Sequence, residues 1–135
     1  MAKFVATDYD ISINGADFSS SIAAVTLDIT REEQDVTAFG STSRQRIAGL
    51  QDASISLDFH QDFGASSVDA TLFPLMGSIA TVVVKPTGGT TSATNPAYTV
   101  EALVTAYSPF ASTVGDLATL SVSWPANSVT RGTGA

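Results

Sequence analysis

Apolar and polar positions alternate along most of this chain, the mark of strands with one buried face. In residues 9–18, YDISINGADF, Ile11 and Ile13 share a face. The following Asn14-Gly15 pair tolerates positive φ and predicts a hairpin turn. In IAAVTLDIT, residues 22–30, Ala23, Val25, Leu27 and Ile29 point one way, and Ala24, Thr26, Asp28 and Thr30 the other. In ASISLDFH, residues 53–60, Ala53, Ile55, Leu57 and Phe59 oppose Ser54, Ser56, Asp58 and His60. The period then changes. Val68, Leu72, Leu75 and Met76 form one helical stripe, with Ser66 or Ser67 to cap it, Asp69 at its positive end and Gly77 to stop it. Pro74 removes a mid-helix hydrogen bond, so the helix is short, about residues 67–76, and bends there.

IATVVVKP lacks alternation and predicts a more deeply buried strand, followed by the polar loop TGGTTSATNP. AYTVEALVTAYS is a long strand, and LATLSVSWP is the last, with Leu120, Val122 and Trp124 on its apolar face. These elements predict an all-β chain: a β-sandwich or partly closed barrel of six to seven strands, with one short helix over an opening. The single domain spans 1–125, and the small polar residues 126–135 read as a flexible tail.

The pattern fails over residues 31–49, REEQDVTAFGSTSRQRIAG. A structureless connection of that length is unusual inside a compact domain. It carries three of the six basic residues of the chain. The cluster Glu32, Glu33 and Asp35 precedes Arg44 and Arg46, next to Arg31, and the apolar Val36, Phe39, Ile47 and Leu50 are set among them. Two readings follow. It is a self-complementary surface, ordered on assembly, where the acidic end of one copy meets the basic end of the next. Or it is a loop folded back so that its arginines and carboxylates pair within one chain.

Composition narrows the function. At 135 residues, 44% hydrophobic and 14% charged, the chain can bury a core and is not of the disordered class. Its net charge of -7 leaves no basic face for holding nucleic acid or an anionic membrane. With no cysteine, disulfides and thiolate chemistry are excluded. The first residues, MAKFVATDYD, have no apolar run of a secretory signal, so assembly in a cytoplasm is the expectation.

Catalytic patterns are missing or incomplete. His60 is the one histidine, alternates with a polar face and reads as a surface or interface residue; no G-x-S-x-G elbow accompanies it. Asp10, Ser12, Asn14 and Gly15 match the start of a calcium loop, but Ser21 stands where a bidentate Glu is needed. Glu32 and Glu33 are adjacent and diverge on an extended chain, and Asp58 and Asp62 pair only across a bend. KPTGGTT has its lysine before the glycines, the wrong order for a phosphate loop. Trp124 and the phenylalanines are assigned to the core. No enzyme, cofactor or metal is expected.

EEQDVTAFG, followed by SRQRIAGLQDASISLDFHQDF, VDATLFPLMG and GDLATLSVSWP, resembles the tail tube (major tail) proteins of long-tailed bacteriophages over most of residues 30–125. The resemblance implies a β-sandwich with one helix, whose copies form rings, generally hexamers, stacked into a hollow tube that delivers DNA. Strands of neighbouring subunits complete a barrel around the lumen, and the long early loop, here residues 31–49, reaches adjacent subunits and rings. Its implied partners are further copies of itself, a tape measure and a tail terminator, in the virion tail, with DNA passing unbound. The small polar faces Thr26, Asp28, Thr30 and Ser54, Ser56, Asp58 are the candidate lumen wall, because an acidic conduit repels phosphates and lets DNA slide; otherwise they look out to solvent. The rivals are a monomeric sugar- or surface-binding module using Tyr9, Tyr98 and Tyr107, and a head–tail joining protein.

Overall fold

The computed structural model describes residues 9–65 and 67–133. They form an all-β fold: one antiparallel seven-stranded sheet with a single short helix. The strands are β1 (Asp10–Ile13), β2 (Ala16–Asp17), β3 (Ile22–Asp35), β4 (Arg46–His60), β5 (Ile79–Lys85), β6 (Ala97–Leu103) and β7 (Thr119–Gly132). Their spatial order is β2-β1-β5-β6-β7-β4-β3. The sheet curls around its core without closing into a barrel. A groove of about 440 Å³ lies between Val25, Leu27 and Ile29 of the edge strand β3 and Val84, Pro86 and Tyr98, contributed by β5, its exit and β6.

The core follows the alternation. Ile55, Leu57 and Phe59 of β4 are buried beside Leu120, Val122 and Trp124 of β7, whose register sets Ile55 opposite Trp124. Ile11 and Ile13 cover one end, and Val68 and Leu72 of the helix pack from α1 (Val68–Leu72). The indole N–H of Trp124 donates to the Ala106 carbonyl at 2.9 Å, so burial leaves no donor unpaired. Asn14 and Gly15 both take positive φ, 51° and 87°, as the tight hairpin demands. Asn14 Oδ1 also accepts the Thr81 N–H.

Several expectations are corrected. Residues 31–49 are not a structureless connection: β3 and β4 run on as a two-stranded arm, and only 36–45 link them. Residues 126–132 of the polar tail are not loose, since β7 continues to Gly132 and pairs with β6, and residues 134 and 135 lie outside the described residues. Ala23 leaves the apolar face because a register shift between Ile22 and Ala24 turns Ile22 inward instead. β5 is not buried on both faces: Ala80 and Val82 are buried while Ile79 is exposed. The helix lasts from Val68 to Leu72 and tightens into a 3₁₀ turn, Phe73–Leu75, where Pro74 forbids continuation. Ser67 makes no side-chain cap; the Asp69 N–H is taken by the Asp62 carbonyl, and Ser66 lies outside the described residues.

Candidate assembly surfaces

Register defines the arm. β4 pairs with β7 from Ala53 to His60, but Arg46–Asp52 has β3 alone as its neighbour. At ~3.3 Å per residue the arm stands roughly 20 Å clear of the body. Arg31, Glu32, Glu33, Asp35, Val36, Phe39, Arg44, Arg46, Ile47 and Leu50 all lie on it, and all are exposed. Their charges pair within the chain: Arg46 Nε lies 2.7 Å from Glu33 Oε1, and Arg44 Nη1 lies 2.6 Å from Asp35 Oδ2. Arg31 donates to the Gly49 carbonyl and to Gln51 Oε1. The folded-back pairing therefore exists in a single copy. The aliphatic and aromatic groups have no such outlet: Phe39 is fully exposed and Leu50 is 77% exposed.

The linking residues have their own organisation. The Thr37 N–H donates to Asp35 Oδ1, and the Gln45 N–H donates to Thr37 Oγ1. Hydrogen bonds from Thr37, then the Arg44 guanidinium, hold the Asp35 carboxyl below its ordinary range. Gly40 turns the tip at φ 91°. Opposite Glu32 the ladder carries an extra β4 residue; a Cβ on Gly49 would lie 3.2 Å from that of Glu32.

The second surface is the outward face of the sheet. Register aligns Thr26 with Ser56 and Ser123, Asp28 with Ser54, and Asp58 with Ser121. All five candidate wall residues, Thr26, Asp28, Ser54, Ser56 and Asp58, thus share one continuous face, with Thr30 beside Asp52 extending it. Ser121 Oγ donates to Asp58 Oδ1 at 2.7 Å, and the Ser56 and Ser123 hydroxyls meet at 3.2 Å. Beyond β7 the face continues through Ser128, Glu101 and Thr81, whose hydroxyl reaches the Glu101 carboxylate. None of these rows contains a lysine or arginine. Sequence reading missed Ser121, Ser123 and Glu101, although the alternation of Leu120, Val122 and Trp124 already put the two serines on the opposite face.

The third surface was not anticipated. Phenylalanines assigned to the core divide: Phe18 and Phe59 are buried, but Phe39, Phe63, Phe73 and Phe110 are exposed. Phe63 and Phe110 stack with ring centroids 5.5 Å apart, and the loop that carries Phe110 also exposes Val114 and Leu117. The loop carrying Phe110 is fixed from below. Gln61 Nε2 donates to the Pro109 carbonyl, and the Gln61 N–H to that of Ala118. The Tyr107 hydroxyl donates to Asp69 Oδ1 at 2.7 Å, and burial, then this carboxylate, raise its pKa. The signal available in sequence was apolar residues amid the turn formers of SPFASTVGDL.

The remaining candidates are dispersed or occupied. Asn14 serves the hairpin, and Asp10 Oδ1 accepts from Ser19 Oγ, so the calcium-like residues belong to β1 and its turn. In the glycine loop Asn95 Nδ2 gathers the carbonyls of Gly89 and Thr90, and Lys85 Nζ donates to the Gly89 carbonyl. Its carbonyls, not its N–H groups, converge, the reverse of a phosphate cradle. Tyr9 and Tyr98 share the groove beside β3, while Tyr107 is held near α1 by its bond to Asp69. His60 Nδ1 is buried without a partner among the described residues.

No protein-family model matches the chain, and no curated protein sequence matches it. Solved structures do. A chain of the virion of a native gene transfer agent particle superposes with TM-score 0.76 at 16% identity, over 96% of this chain and 98% of that one. A chain of the tail of an empty gene transfer agent particle, refined helically with C6 symmetry, superposes with TM-score 0.60 at 18% identity, over 85% and 83%. The fold is that of chains built into phage-like particles.

Proposed function

We propose that this chain is a structural subunit of a phage-like tail: it assembles with copies of itself into stacked rings, six-fold in symmetry, forming a tube through which DNA is delivered. It acts by shape and charge rather than by catalysis. The observation that carries the reading is the projecting arm on a fold shared almost end to end with a gene transfer agent chain. A lone module has no use for a two-stranded projection bearing exposed Phe39, Ile47 and Leu50. The C6 symmetry of the related tail supports the ring number. The outward acidic face supports a conduit, because the rows carrying Asp28, Asp58 and Glu101 hold no lysine or arginine and so release no counterions from DNA. The tape measure, the tail terminator, a place in the virion tail and assembly in a host cytoplasm belong to the same reading.

Negative-stain microscopy of the concentrated protein tests it. Tubes or stacked rings are the expected outcome. Isolated rings point instead to a joining protein, and a persistent monomer to a binding module using the Tyr9–Tyr98 groove.

A further inference from the structure

The exposed apolar residues are not scattered. Apart from Tyr9, every large one among the described residues lies either on or beside the arm or near the far end of the strands. Ladder register fixes which end is which. β4 runs from Arg46 at the arm to His60, paired with Thr119, so the chain segments around Phe63 and Phe110 emerge opposite the arm. Charge is polarised along the same axis. Arg31, Arg44 and Arg46 are on the arm, and Lys85 and Arg131 close the arm-side ends of β5 and β7. The far end holds Asp62 and Asp116 and no described cation.

We propose that the stacked Phe63–Phe110 pair is the seat for the arm tip of a second copy, with Phe39 as its anchor; this rests on the tail reading above. Like-to-like contacts fit less well. Two aromatic ends facing each other would bring Asp62 and Asp116 against their own copies, a repulsive arrangement. The arm carries three of the five described cations, Arg31, Arg44 and Arg46, against Glu32, Glu33, Asp35 and Asp52, whereas the far end holds carboxylates without a described cation. An arm-to-far-end contact joins unlike patches, so it does not close on itself and propagates along the strand axis. Rings joined this way stack with one polarity.

The chain has no cysteine, which permits a clean test. Ala38→Cys and Ala111→Cys proteins, which keep both rings and place an exposed thiol next to each, are purified separately, mixed and oxidised. Disulfide dimers between the two variants, and a ladder of higher multimers from the Ala38→Cys/Ala111→Cys double variant, are expected. Separately, Phe63→Ser/Phe110→Ser should retain the wild-type melting curve, since both rings are exposed, yet stop at rings or monomers where the wild type makes tubes. Tubes of normal length from that variant, or no crosslink between Ala38→Cys and Ala111→Cys in assembled protein, overturn the seat while leaving the tail reading intact. If the wild type never assembles, the tail reading itself falls.

Discussion

At the scale of single residues, the side chains that matter most tie irregular segments to regular ones. Tyr107 is such a tie: it accepts from Gln61 Nε2 and donates to Asp69, linking the aromatic loop to α1. Tyr107→Phe removes a partly buried bond to a carboxylate, worth about 1–2 kcal/mol. A melting temperature lower by about 3–6 °C is expected in calorimetry; no change means the loop is held elsewhere. Trp124→Ala empties the centre of the core and costs about 3–5 kcal/mol, measurable in urea titration. Trp124 was legible because its neighbours alternate. Phe63 and Phe110 were not, because phenylalanine is usually buried and nothing local distinguishes a ring saved for a partner from one in the core.

At the scale of elements, the arm shows why sequence patterns have a limit. Apart from Ala23, alternation was read correctly through Leu27 and again from Ala53, where β4 begins to pair with β7; Ile29, opposite Ala53 on β3, is already exposed. A hydrophobic period records burial, and the arm has no core to record. Ladder hydrogen bonds and cross-strand pairs such as Glu33–Arg46 hold it instead, and these leave no periodic trace. The Asn14-Gly15 hairpin was legible for the opposite reason, since it is signalled by local conformational preference, while the helix was read from the stripe that buries Val68 and Leu72. The arm also carries a pH prediction. Asp35 has its carboxyl pKa depressed in the folded tip, so its stabilising contribution is fully present above about pH 4 and is lost as pH falls through the lowered value. The Thr37 amide resonance should therefore hold steady from pH 8 to 5 and shift only below that range. A midpoint above pH 4 contradicts the role of Asp35.

At the scale of the whole molecule, one curled sheet separates three surfaces: a core inside, an acidic hydroxyl-rich face outside, and exposed apolar groups towards its two ends. Asp28→Lys/Asp58→Lys changes the wall without touching the core or the arm. Tubes should still form, but they should retain duplex DNA in a pull-down at low salt, with retention falling steeply as salt rises. Unaltered passage of DNA through the variant tubes would remove the wall from the lumen. The fold class was readable because most strands on the body turn one face to the core, whereas the pairing order was not, since it depends on contacts far apart in sequence and left sandwich and partly closed barrel both open.

A connector that ordered itself only on meeting its partner would spend much of its binding energy on that ordering. Here the β3–β4 ladder is already folded in the isolated subunit, so little conformational entropy remains to be lost when a neighbour arrives. On the tail reading proposed above, each new chain is competent to join as soon as it folds, and restraint on polymerisation comes from concentration and from the rate of starting a first ring, not from a change of shape in the subunit.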